Sequence, residues 1–135
     1  MSVLCIADSN ELDQRIMKLN LLKFPIFKHV LHFYRDAELL NYLKENRNDA
    51  SNLPDVLLLD LNTQQQNQAN ILEALQFVYP TLRKKTEVYI ISASILPKDI
   101  NKALSYEFVK DYISKPVTKD ILRQIVTGTR PYVYR

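Results

Sequence analysis

Four polar residues stand where short apolar runs end: Asp8 after Val3 to Ala7, Asp60 after Val56 to Leu59, Ser92 after Val88 to Ile91, and Lys115 just after Tyr112 and Ile113. If each run is a strand of one parallel sheet, these four residues gather along one edge of it. In an open α/β sheet, ligands bind beyond the carboxyl ends of the strands where the strand order reverses. For the order 2-1-3-4-5 that point lies between the first and third strands, so Asp8 and Asp60 face each other there. Two carboxylates brought together repel. A hard cation such as Mg²⁺, which uses one or two carboxylates and keeps several waters, relieves that repulsion. A carboxylate in such a place attacks a phosphoryl group to give an acyl phosphate, provided metal, lysine and hydroxyl donors neutralise the transferring oxygens. Lys115 and Ser92 supply the last two.

The elements that must position these residues follow from the patterning. Unbroken apolar runs are expected of strands covered on both faces, which makes the first, third and fourth runs central. Val30 to Tyr34, interrupted by His32, suits an edge strand, and Tyr112 with Ile113 marks a short last one, giving five strands. Between them lie five amphipathic segments. Leu12, Ile16 and Leu19 recur at helical spacing behind Asn10, which is placed to cap, as is Ser9, with Glu11 and Asp13 in the first turn where the helix dipole favours acids. Asp36 is read as the cap of a second helix through Leu39, Leu40 and Leu43. Ile71, Leu72, Leu75 and Val78 form the inner face of a third, ended by Pro80. Pro97 opens a fourth with Ile100, Ala103 and Leu104. Thr118 caps a fifth through Ile121, Leu122, Ile125 and Val126 before Gly128. The expected fold is α/β: a doubly wound, five-stranded parallel sheet of order 2-1-3-4-5 with five helices, flavodoxin-like.

Composition narrows the class. A chain of 135 residues suits one domain with a continuous core, read as 1–128 with a short tail at 129–135. The net charge of +3 is mild, and the densest basic run, Arg83-Lys84-Lys85, reads as a solvated corner, so this domain is not expected to bind nucleic acid. No apolar run reaches membrane-spanning length, and the single cysteine, Cys5, sits in an apolar run and reads as a buried core thiol. A reducing cytoplasm fits. His29 and His32 decorate an edge strand with no cluster of acids or thiols beside them.

The strings Ile6-Ala7-Asp8-Ser9-Asn10-Glu11, Pro54-Asp55-Val56-Leu57-Leu58-Leu59-Asp60-Leu61-Asn62, Ile91-Ser92-Ala93-Ser94 and Ser114-Lys115-Pro116 occur in the order of the response-regulator receiver pattern, which the chain resembles over nearly its whole length. The resemblance implies a bacterial two-component signalling module. Asp60 is then the phosphoacceptor, Asp8 a metal-site acid, Asn62 a metal ligand through its backbone carbonyl, Lys115 the phosphoryl partner before a cis proline, and Mg²⁺ the cofactor. It also implies that Ser92 and Tyr112 form a switch that remodels the face built from the fourth helix, fifth strand and fifth helix. The partners implied are a histidine kinase or phosphotransfer protein and a downstream protein or output domain on that face, with homodimerisation there as a further use. Apart from self-phosphorylation from small donors and autodephosphorylation, no enzymatic turnover is expected.

The chain departs from that pattern twice. Ser9 stands where similar receivers carry a second acid that ligates the metal, which predicts weaker Mg²⁺ binding. The loop after Asp60 reads Thr63-Gln64-Gln65-Gln66-Asn67-Gln68, without glycine. These departures motivate an alternative, a phosphorylation-independent pseudo-receiver acting as an interaction module. An aspartyl-phosphate phosphatase of the haloacid-dehalogenase-like kind is disfavoured, because its motif needs a second aspartate where Asn62 stands. A flavin carrier lacks its Gly/Ser/Thr-rich phosphate loop after the first strand.

Overall fold

The computed structural model of the chain describes residues 3–61 and 68–128. The Asn62 position, most of the glutamine-rich loop and the 129–135 tail lie outside the described residues. Strands β1 (Val3–Ala7), β2 (His29–Phe33), β3 (Val56–Asp60), β4 (Glu87–Ser92) and β5 (Val109–Ser114) alternate with helices α1 (Glu11–Lys23), α2 (Asp36–Glu45), α3 (Gln68–Val78), α4 (Pro97–Leu104) and α5 (Lys119–Thr127). The strands pair in parallel in the order β2-β1-β3-β4-β5, so the order reverses between β1 and β3, as expected.

Because side chains alternate across a strand, each apolar run feeds two cores. Cys5, Ala7, Leu57, Leu59, Val88, Ile90 and Tyr112 face α2, α3 and α4. Leu4, Ile6, Val56, Leu58, Tyr89, Ile91 and Ile113 face α1 and α5, meeting Met17, Leu21, Leu122 and Ile125. Cys5 is fully buried, and burial pushes its thiol pKa well above the usual range, which keeps it an inert core group. Thr118 caps α5 by accepting from the Ile121 N–H, and Gly128 ends that helix at φ 79°, in the left-handed region that glycine adopts freely.

Five readings of the sequence need correction. The α1 stripe of Leu12, Ile16 and Leu19 does not face the sheet: it is exposed, and the inner face is Gln14, Met17 and Leu21. The α1 cap is Asn10 alone, whose Oδ1 accepts from the Asp13 N–H at 3.0 Å, and not Ser9. Asp36 is the first residue of α2 and not its cap; the cap position is Arg35, which makes no capping bond. Finally, Lys84 is not simply solvated, since it donates to the Leu53 carbonyl at 2.9 Å and pairs with Asp55 at 3.4 Å. The last strand is also longer than its apolar pair, because Lys110 and the buried Asp111 continue it toward Val109.

Candidate functional site

The parallel register places the carboxyl ends of β1, β3, β4 and β5 side by side, with Asp60 opposite Ile91 and Ser92 opposite Ser114. Asp8 follows the last residue of β1 and is fixed by its surroundings. Its N–H donates to the Phe33 carbonyl at 2.9 Å, and its Oδ1 accepts from the Asn10 N–H at 2.9 Å. Its other oxygen, Oδ2, faces the pocket and accepts from Lys115 Nζ at 3.0 Å. Lys115 is carried there by its N–H bond to the Ser92 carbonyl at 2.9 Å and by the cis Lys115–Pro116 peptide, as the sequence reading expected.

The ammonium of Lys115 is shared. It lies 3.0 Å from Asp8, 3.1 Å from Asp60 Oδ1 and 2.7 Å from Asp13 Oδ2. It donates hydrogen bonds to Asp8 and Asp13 and pairs with Asp60 as a salt bridge. Asp13 is the residue that sequence reasoning missed at the site, having been read only as a first-turn acid. The signal was available, since a residue three positions after the Asn10 cap sits one turn up the helix, above the end of the strand that precedes it. Its carboxylate restores near the lysine some of the negative charge that Ser9 does not supply.

The electrostatics are tense. Burial, reinforced by the neighbouring Asp8 carboxylate, pushes the Asp60 pKa from 3.8 to about 7, with Lys115 pulling the other way. For Lys115, burial lowers the pKa, but the bonds to Asp13 and Asp8 and the charge of Asp60 outweigh it, so the ammonium is held above its ordinary value. The pocket therefore keeps the Lys115 cation firmly and the Asp60 carboxylate anion poorly. Asp8 and Asp60 fit the one or two carboxylates that Mg²⁺ uses, with water filling the remaining positions. Ser9 is exposed beside them. A cavity of about 310 Å³ opens next to Asp60 on the β2 side, lined by Asp8, Ser9, Phe33 and Arg35 among others.

Ser92 is buried, its Oγ accepting from the Ser94 N–H at 3.1 Å. Tyr112 is also buried, and its hydroxyl donates to the Ser94 carbonyl at 2.8 Å. Both residues named as switch candidates thus meet at Ser94.

No family model and no curated protein matches the chain. Among solved structures it is similar to a response regulator receiver protein from Dyadobacter fermentans DSM 18053, at 23% identity over 95% of this chain and 97% of that one, with a TM-score of 0.78. It is similar to the phosphorylated cyanobacterial phytochrome response regulator RcpA, at 27% identity over 94% and 89%, with a TM-score of 0.68. A third, the Mn²⁺-bound form of response regulator Rcp1, gives 20% identity over 95% and 91%, with a TM-score of 0.66. The chain has the fold of response-regulator receiver domains, and the resemblance read from its sequence extends to the whole described architecture.

Proposed function

We propose that the chain acts as a phosphorylation-dependent receiver, with Asp60 as the acceptor. The observation that carries this reading is that Asp8 and Asp60 both lie within 3.1 Å of Lys115 Nζ at the strand-order reversal. The ionised carboxylate of Asp60 attacks the phosphorus of a phosphohistidine whose other ring nitrogen is protonated, the P–N bond breaks, and the bonding pair returns to the ring, which leaves as neutral imidazole. Lys115 shifts one hydrogen from carboxylate to phosphoryl oxygen, and Ser92 offers its hydroxyl from the neighbouring strand end. Asp8 and Asp60 would hold a Mg²⁺ ion, which would neutralise charge on the phosphoryl oxygens, and Ser9 adds no third carboxylate to the site. Turnover is confined to the acyl phosphate of Asp60 itself. The face of α4, β5 and α5 is the output surface.

The exposed α1 stripe supports a place for the donor. Leu12 is next to Asp13 at the mouth of the pocket, and Ile16, Leu19 and Leu22, the last 79% exposed, run away from it along one side of the helix. A helix laid on this apolar ridge, flanked by Arg15 and Lys18, brings a phosphohistidine over Asp60. The occupant we infer is therefore the phosphodonor.

The test is intact mass after incubation with Mg²⁺ and acetyl phosphate, which is expected to add one phosphoryl group to the parent and none to Asp60→Asn. With a phosphotransfer protein chosen because it labels the parent, Ile16→Glu should slow transfer about tenfold or more while labelling by acetyl phosphate stays unchanged. The second reading, a pseudo-receiver, is favoured by one observation: the exposed hydroxyl of Ser9, and not a second acid, stands next to Asp8. Absence of label at high Mg²⁺, together with a null titration by beryllofluoride, would establish it.

A further inference from the structure

Lys115 has little charge to offer a newcomer. Its ammonium is already set among Asp8, Asp13 and Asp60, while a phosphoryl group on Asp60 would bring a further charge of about −1.5 to −2. Ser9 adds no acid that would hold a divalent ion more tightly. An oxyanion arriving at Asp60 therefore calls for a second cation from the chain itself.

One stands on the other side of the acceptor. In the order β2-β1-β3-β4-β5, Asp60 ends the middle strand, Lys115 follows one edge strand, β5, and Arg35 follows the other, β2. Arg35 and Asp60 line the same cavity of about 310 Å³, together with Asp8 and Ser9, and Lys115 lies outside it. The Arg35 backbone is extended, at φ −131° and ψ 139°, and its carbonyl accepts the Leu39 N–H at 3.3 Å, which anchors the residue at the start of α2. Among the described residues its guanidinium makes no hydrogen bond or ion pair, not even with the adjacent Asp36 on the same wall. An exposed, uncommitted fork of donors suits the oxygens of a phosphoryl group, which a guanidinium takes two at a time.

We propose that Arg35 is a phosphoryl-binding residue, whose guanidinium holds across the cavity the oxygens that face away from Lys115. The inference rests on the reading of Asp60 as phosphoacceptor and adds to that site a cation from β2. The same charge acts on a divalent ion in the opposite sense. A cation on the cavity wall attracts the anion and repels Mg²⁺ at Asp8 and Asp60, so removing it should move the two affinities apart. Asp36, a carboxylate on that wall, opposes Arg35 in both respects.

The experiment is calorimetric titration of the full chain, first with Mg²⁺ alone and then with beryllofluoride at saturating Mg²⁺. Arg35→Gln should weaken the mimic about tenfold, the loss of a charge-assisted contact, while Mg²⁺ alone binds as in the parent or about twofold tighter. Arg35→Lys should recover only part of the loss, because it keeps the charge without the fork. Lys28→Gln removes the same charge from an exposed residue just before β2, at the far end of that strand, and should change neither affinity. The inference falls if Arg35→Gln binds the mimic as the parent does, if Lys28→Gln matches its effect, or if Mg²⁺ and mimic weaken together, as a disturbed fold would make them. A parent that takes up no beryllofluoride removes the phosphoacceptor reading and this inference with it. A parent that binds the mimic, with Arg35→Gln unchanged, removes this inference alone.

Discussion

Asp60→Asn should be more stable than the parent at alkaline pH, and its advantage should shrink on acidification. Burial and the Asp8 charge raise the Asp60 pKa from 3.8 to about 7, so the folded state holds this proton more tightly than the unfolded state does. The sign follows: below about pH 4 both states carry the proton and the site costs nothing. As the pH rises from about 4 to 7 the unfolded chain releases its proton first and stability falls, and above about 7 the full penalty is present. A rise of about three units corresponds to about 4 kcal/mol as an upper figure. Asparagine keeps the shape and loses the charge, along with the attraction to Lys115, so its advantage should grow by about 2–4 kcal/mol between pH 4 and pH 8. Thermal unfolding followed by circular dichroism in the absence of divalent ions reads this directly, with about 4 °C expected for each kcal/mol. A pH-independent gap would mean that the carboxylate is not destabilised by its setting. Adding Mg²⁺ at pH 8 should stabilise the parent and leave Asp60→Asn where it was, because a cation between Asp8 and Asp60 removes the repulsion only where there is one.

Much of this arrangement was legible because the strands announce themselves. Val3 to Ala7 and Val56 to Leu59 are apolar at every position since both faces of the sheet are covered, and the next polar residue in each case is the one that reaches the edge. Asp8, Asp60, Ser92 and Lys115 could therefore be placed together without knowing any contact. Helix α1 was harder, because it carries two apolar rows. Leu12, Ile16 and Leu19 form the cleaner helical stripe, yet the row that packs is Met17 and Leu21 completed by a polar residue, Gln14. Periodicity ranks faces by apolarity, and a buried amide satisfied by backbone carbonyls is invisible to it. The same limit hid Asp13, whose partner is 102 residues away. Asp36 looked like a cap because acids favour helix starts, and a first-turn acid and a cap differ by a single position. The last strand was underestimated for a related reason. Asp111 is buried within it, and its carboxylate accepts the N–H of Tyr112, an internal arrangement that an apolar count does not reveal.

Gln14 is where a single substitution should do the most damage to the fold near the site. The residue is fully buried, 0% exposed, and its amide nitrogen lies 3.2 Å from the Ile6 carbonyl, 3.2 Å from the Asp8 carbonyl and 3.0 Å from the Phe33 carbonyl. Its Oε1 is 2.6 Å from His32 Nδ1, and since that oxygen only accepts, the proton is on Nδ1. One side chain therefore joins the ends of β1 and β2 and sets the peptide that carries Asp8. Gln14→Met conserves volume and removes every one of these bonds, leaving carbonyls and a half-buried imidazole facing a thioether. An unsatisfied buried group costs about 1–3 kcal/mol, and with relaxation of the surroundings the total should be about 3–5 kcal/mol in urea or guanidinium unfolding. Gln14→Glu tests the mechanism further, because it keeps an acceptor for His32 but presents oxygen to three carbonyl oxygens, and should be at least as damaging. The loss should also be local before it is global, with the Asp8 amide, bonded to Phe33, exchanging faster in Gln14→Met than the central β3 amides do. A penalty below about 1 kcal/mol would show that the strand ends hold Asp8 without help. The expected penalty would show that the acid opposite Asp60 is positioned by a glutamine on the helix that follows it.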